Sequence, residues 1–280
     1  MTWYFFALVA ALFYAAQMLG LRRLQRSYPI PVYMAYIWLG AGALIGLISV
    51  RTGEEIMEVN WPCVLGAALG SWAGMYAFNR AICLQPNLGY IDAVGTLRLG
   101  LVYGLSIALF GAVIEPLKLV ALSGIALGVI LIVGVQQGGS PVEGDRRWVT
   151  WQLLAVLCFA ALLICVRMAT SNGSDARVVT ALVMLTAGLL YVASTLHSRQ
   201  SLYPAKDRAL LLLTIMASAV GNIAFFTSLA SAPNLAYTDA VVNLRLVILY
   251  GVALVTGVDR LDIPKALGVA LTFICAALLG

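Results

Sequence analysis

Residues 86–99 read PNLGYIDAVGTLRL, and residues 233–246 read PNLAYTDAVVNLRL. The same proline, asparagine, tyrosine, aspartate and arginine recur at the same spacing in the two stretches. Continuing the alignment pairs Tyr103-Gly104 with Tyr250-Gly251, and Glu115 and Lys118 with Asp262 and Lys265. Arg22 in turn answers Arg167. So many matched polar residues in apolar sequence point to an internal duplication.

The surroundings of these stretches set the solvent. Of 280 residues, 62% are hydrophobic and only 10% charged, with a mean hydropathy of +0.97. A soluble domain is roughly a quarter charged, so water cannot wet most of this surface and lipid is the expected solvent. Crossing a bilayer takes about 20 apolar residues. Ten such runs follow from the proline and charge punctuation: 3–21, 31–50, 62–85, 87–111, 117–135, 149–168, 177–196, 209–231, 235–257 and 264–280. Met1–Gly20 lacks a basic leader and reads as the first span rather than as a signal peptide. All nine prolines lie between runs or at their ends, so the spacing predicts continuous helices rather than the interrupted ones of some transporter folds.

The polar stretch Gln136–Arg147 divides the chain near its middle. The organisation expected is a first five-helix repeat over 1–138, a linker over 139–148 and a second repeat over 149–280. An odd number of spans per repeat inverts one copy relative to the other. The fold class is therefore all-α integral membrane, ten transmembrane helices in a 5+5 inverted repeat.

Charge bias orients the molecule, because the basic face is normally cytoplasmic. The loops after spans 1, 5, 7 and 9 carry Arg22, Arg23, Arg26, Arg146, Arg147, Arg199, Lys206, Arg208, Arg260 and Lys265. The other face carries Arg51, Lys118, Arg167 and Arg177. This bias places both termini outside the cytoplasm. The net charge of +5 is spread over short loops without a basic block, so nucleic acid is not an expected partner.

Two fused five-helix repeats of this length, with a Pro-Asn-Leu-x-Tyr-x-Asp-Ala-Val turn at Pro86–Val94 and again at Pro233–Val241, resemble the drug/metabolite transporter superfamily, EamA-like branch. The resemblance spans the whole chain. It implies a multi-pass protein of the cell inner membrane whose partners are a small-molecule substrate and the bilayer. Family members commonly hold the N-terminus in the cytoplasm, with basic loops after helices two and four. Here Glu54, Glu55 and Glu58 outnumber Arg51, and the bias points the other way.

Five charges fall inside the runs: Arg80, Asp92, Arg98, Asp239 and Arg245. A charge in hydrocarbon costs several kcal/mol and normally faces a cavity or a partner. At ~1.5 Å per residue, Asp92 lies about 9 Å and Arg98 about 18 Å from Pro86. Asp239 and Arg245 take the same depths from the opposite face. Depth matching therefore predicts contacts between repeats, Asp92 with Arg245 and Asp239 with Arg98. Arg80 is at the right height to serve Asp92 as well, and its counterpart Thr227 breaks the symmetry. These charges either line a midplane cavity that binds a carboxylate or phosphate, or simply clamp the repeats together.

Gln17, Asn79, Asn222 and Asn243 offer hydrogen bonds to a substrate or between helices. Trp72 and Tyr76, one turn apart, offer a stacking surface or plain packing. Tyr90 and Tyr237 read as interfacial anchors, and Trp3, Trp61, Trp148 and Trp151 as belt residues. Gly66, Gly70 and Gly74, with Gly42/Gly46 and Gly124/Gly128, follow the every-fourth spacing of close helix contacts.

The function expected is secondary-active transport of a small anionic or zwitterionic, amino-acid-like metabolite, with protons the candidate coupling ion. A lipid or lipid-carrier flippase and a proton-coupled drug exporter are the alternatives, the matched arginines arguing against cationic drugs. No enzyme is expected: His197 is the single histidine and has no nucleophile arrangement around it. No GxxxxGK[ST] loop for ATP occurs. The five cysteines show no metal-ligand or disulfide spacing, so neither metal nor cofactor is expected. The duplication makes a monomer sufficient and leaves room for a homodimer. The topology predicts signal from a C-terminal reporter active only outside the cytoplasm; a cytoplasm-only signal contradicts it.

Overall fold

The computed structural model describes residues 2–49, 59–84, 88–111, 115–134, 147–171, 173–200, 207–257 and 263–279, with backbone alone at a few helical positions that include Tyr90 and Asp92. Most of the 139–148 linker, with Pro86 and the Glu54–Glu58 loop, falls outside these residues. The helices run in chain order α1 (Thr2–Leu24), α2 (Ile30–Ser49), α3 (Trp61–Leu84), α4 (Leu88–Gly95), α5 (Leu97–Phe110), α6 (Pro116–Gly134), α7 (Arg147–Ser171), α8 (Ala176–His197), α9 (Arg208–Ser231), α10 (Leu235–Val242), α11 (Arg245–Val255) and α12 (Ile263–Leu279). Every described element is helical. Among the described residues six spans, α1, α2, α7, α8, α9 and Leu235–Val255, are long and apolar enough to cross a membrane. The 24 residues of α3 are equally long, and its glycines, Asn79 and Arg80 lower its apolarity. Phe5, Leu47, Leu127, Leu189, Leu213 and Val255 are all exposed. An apolar outer surface on apolar helices fits an α-helical membrane protein.

The expectation of continuous helices fails in two places. Run 87–111 divides at Thr96, and run 235–257 divides at Asn243–Leu244. No proline is involved. The backbone keeps helical angles, with Thr96 at φ −67°, ψ −16° and Asn243 at φ −68°, ψ −6°. Its hydrogen bonds tighten from four residues to three: Leu99 N–H donates to the Thr96 carbonyl at 2.8 Å, and Leu246 N–H to that of Asn243 at 2.9 Å. Such 3₁₀ turns inside an α-helix mark strain or a hinge. In both places the arginine follows within two residues, Arg98 after Thr96 and Arg245 after Leu244.

The repeated Pro-Asn has a local explanation in the second stretch. Asn234 is extended at φ −141° and its side chain accepts the Ala236 N–H at 2.9 Å, capping α10. At the end of α7, the Arg167 guanidinium donates to the Leu229 and Ala230 carbonyls at 3.1 and 2.9 Å. Those carbonyls close α9, where cations suit the helix dipole.

Four helix pairs form the body of the fold: α3 with α7, α1 with α9, α2 with α8, and α6 with α12. Small residues bring them together. A Cβ on Gly70 would lie 2.8 Å from the Cys158 carbonyl oxygen. One on Gly74 would lie 2.9 Å from the Phe159 ring, and one on Gly221 2.9 Å from the Tyr14 ring. Gly42 backs onto Leu185 at 3.0 Å and Gly188 onto Leu39 at 2.8 Å. Without a hydrophobic force between helices in lipid, such close contact supplies much of the association.

Two interfacial readings need correction. Tyr237 is buried, its hydroxyl donating to Glu115 at 3.4 Å, and Trp148 is buried as well; neither faces lipid. Gly70→Ala pushes α3 off the α7 backbone and should cost about 1–3 kcal/mol, as overpacking does. Gly104→Ala, with open space around its Cβ, should leave the thermal midpoint in detergent unchanged. Equal midpoints for the two variants would contradict this packing.

Candidate functional site

Arg98, two residues after the α4–α5 break, meets Asp239 on α10 in a two-pronged ion pair. Its Nε donates to Asp239 Oδ2 at 2.6 Å, and its Nη2 reaches Oδ1. This is the contact between halves that depth matching expects, joining groups 141 residues apart in sequence. Asp239 is fully buried, and the Arg98 side chain is 12% exposed. Arg98 lines a cavity whose atom-free space is about 760 Å³ with the open solvent at its mouth included.

Arg98, Asp239, Arg245, Gln17 and Asn222 all line this cavity. The two arginines sit over aromatic rings contributed by the opposite half of the chain. The Arg98 guanidinium lies 5.3 Å from the centre of Phe159, and that of Arg245 5.9 Å from Tyr14. A ring face adds attraction for a cation that has lost water. Tyr14 is within electrostatic reach of Arg245, Arg98 and Asp239 together, so the four groups form one polar centre.

A hydrogen-bonded wall extends from that centre along α1 and α9. Tyr14 donates its hydroxyl to Asn222 Oδ1 at 3.0 Å, Gln17 Nε2 donates to Ser218 Oγ at 3.1 Å, and Asn222 Nδ2 donates to the Ser218 carbonyl at 2.8 Å. Trp38 and Ser71 also line the cavity. Trp38 Nε1 and Ser71 Oγ are buried and have no hydrogen-bond partner among the described residues. Leaving such atoms unmet costs about 1–3 kcal/mol each.

The remaining predicted site residues lie elsewhere. Arg80 is exposed, its guanidinium 5.7 Å from the Trp151 ring, and is not a buried partner for an aspartate. Asn79 is consumed by structure: its Oδ1 accepts from Tyr33 and Gln25 at 2.7 and 2.8 Å, and its Nδ2 donates to the Met75 carbonyl. Trp72 donates its indole N–H to Ser194 Oγ, and Tyr76 packs edge-on against Trp151. Neither borders the cavity. Asn243 is buried within the α10–α11 break rather than in the cavity wall. The Asp92 side chain lies outside the described residues, and with it the Asp92–Arg245 contact.

Sequence reasoning missed Tyr14 and the aromatic and thioether lining of Met75, Phe78, Phe159 and Phe225. Their signal was present but faint. Tyr14 and Gln17 stand three residues apart on α1, one helical turn, so they share a face.

Among the described residues, no group of histidine, cysteine and carboxylate side chains is placed to hold a metal. No protein-family model matches the chain, and no curated protein matches it. A solved structure described only as "Crystal structure of protein" shares the fold, with a TM-score of 0.76 and 17% identity over 99% of this chain and 98% of that one. That likeness speaks for the fold and leaves function to the site's own chemistry.

Breaking the ion pair strands a buried charge. Asp239→Asn and Arg98→Gln should each lower stability in detergent by about 3 kcal/mol, and Arg98→Met/Asp239→Leu should recover most of it. Additive losses in the double variant would contradict a coupled pair; thermal unfolding of all three measures it.

Proposed function

We propose that the chain is a secondary-active transporter of the drug/metabolite transporter superfamily, EamA-like branch, carrying a small zwitterionic, amino-acid-like metabolite by alternating access. The observation that carries this reading is the Arg98–Asp239 pair lining a cavity between apolar helices. An amino acid brings an ammonium for Asp239 and a carboxylate for Arg98. Its entry opens the pair while leaving neither charge uncompensated, which avoids the main penalty of breaking a buried pair.

The reciprocity of the packing supports the inverted 5+5 repeat. Tyr14 and Phe159 are 145 positions apart, like Arg22 and Arg167; Gly74 and Gly221 are 147 apart, like Arg98 and Arg245. Gly74 against Phe159 is answered by Gly221 against Tyr14. Gly42 against Leu185 is answered by Gly188 against Leu39. Arg98 over Phe159 is answered by Arg245 over Tyr14. The pairing of α3 with α7 maps onto α9 with α1, and α2–α8 maps onto itself. Contacts that exchange in this way are those of a two-fold interface, here within one chain, and a site on such an axis suits alternating access.

The helix breaks belong to the same scheme. A tightened turn next to each arginine is a place for α4–α5 and α10–α11 to bend as the ion pair opens. Protons are the natural coupling ion, because protonating Asp239 removes the charge that holds Arg98. The substrate and the bilayer are the partners this scheme needs; a single chain carries both halves of the site. No step calls for covalent chemistry.

Uptake into liposomes holding the purified protein tests the reading. Neutral amino acids should enter saturably, and Arg98→Gln or Asp239→Asn should lower uptake at limiting substrate roughly thirtyfold or more, as the loss of about 2 kcal/mol at a buried charge pair implies. Wild-type rates in both variants would reduce the pair to a clamp. Movement of labelled lipid in place of metabolites would favour the flippase reading.

A further inference from the structure

The two halves place equivalent residues around the cavity, and at three equivalent positions the chemistry differs. Met18 and Leu163, Phe78 and Phe225, and Arg98 and Arg245 face the cavity as like pairs. Tyr14, Gln17 and Asn222 do not: their equivalents are Phe159, Leu162 and Met75. Each member of these unlike pairs lines the same cavity.

The substitutions all run in one direction. The α1–α9 wall gains a hydroxyl and two amides, joined through Ser218. The α3–α7 wall has an aromatic ring, a branched aliphatic and a thioether in their places. Only its serine matches, Ser71 standing where Ser218 stands opposite. The ring contacts are otherwise preserved, with Phe78–Phe159 centroids 6.4 Å apart and Phe225–Tyr14 centroids 5.7 Å apart. The frame is two-fold, and the chemistry painted on it is not.

We propose that the cavity binds its cargo in one orientation, with a charged and hydrogen-bonding end against Tyr14, Gln17 and Asn222 and an apolar side chain against Met75, Phe159 and Leu162. This rests on the transport reading and narrows its substrate class to amino acids with apolar side chains. A cargo polar at both ends would leave hydrogen-bonding groups facing Leu162 and Met75, which cannot satisfy them. An apolar side chain gains about fourfold in affinity for each methylene taken from water into such a wall. Met75 suits the task because a thioether adapts to irregular shapes. The asymmetry also fixes direction within the site, since turning the cargo round would put its apolar end on three polar side chains.

The straight series alanine, 2-aminobutyrate, norvaline and norleucine tests this, each member competing for uptake of labelled norleucine into liposomes and each raising the thermal midpoint of the detergent-purified protein. The proposal expects affinity to rise about fourfold per methylene in the unaltered protein. It also expects the slope to flatten in Leu162→Gln/Met75→Asn, which copies the polar wall onto the apolar one. Gln17→Leu/Asn222→Met should keep the slope but bind every member more weakly. A flat series on an active transporter overturns the proposal and leaves the transport reading standing. Failure of the protein to move or bind any amino acid overturns both. A flat slope in the unaltered protein overturns the proposal even if a variant does not fold.

Discussion

An arginine and an aspartate held together away from water govern the rest of this structure. Arg98 and Asp239 come from the two halves of the chain, and the carboxylate has no exposed surface. In a low-dielectric interior neither charge persists without the other, and their mutual attraction offsets desolvation only with good geometry. That geometry is a two-pronged contact between α5 and α10. Each arginine lies within a 3₁₀ turn that joins two helical segments. The close contacts of Gly74 with Phe159 and Gly221 with Tyr14 bring aromatic rings beneath both guanidinium groups.

The pair also explains why a cavity lined by charges can persist in a fold built for lipid. Its polar atoms are satisfied locally, by Asp239 for Arg98 and by the Tyr14–Asn222–Ser218–Gln17 chain for the α1–α9 wall. Among the described residues that line the cavity, the Trp38 indole N–H and the Ser71 hydroxyl remain unmet. The resting site is thus stable without cargo yet holds partners that cargo can exchange. A two-fold frame gives the two arginines equivalent settings, and unlike walls give the site a sense of direction.

Much of this was legible in the sequence, and the part that was not has a physical reason. Apolar runs announced the helices, because lipid leaves backbone groups no partner outside the helix. Charges inside those runs announced Arg98, Asp239 and Arg245. Depth arithmetic found the Arg98–Asp239 contact since rise per residue is nearly fixed. It could not give azimuth. Asn79 and Arg80 are neighbours at nearly the same height, but a rotation of about 100° separates them, turning one inward and the other out. Trp72 and Tyr76 share a face, and that face meets α8 and Trp151 rather than the cavity. The helix breaks escaped because proline is their usual mark, and neither break contains one. Tyr14, Phe159 and Met75 carry no charge, so their part is faint in the sequence and plain in the symmetry of contacts.

The central claim is that cargo takes over the partners of Arg98 and Asp239. Infrared difference spectra of the purified protein, recorded as a neutral amino acid is added, observe the carboxylate directly. The account predicts a shift in the carboxylate stretching bands that saturates with binding and is missing from Asp239→Asn. Saturable binding with no change in those bands would contradict it and leave the pair a clamp between helices.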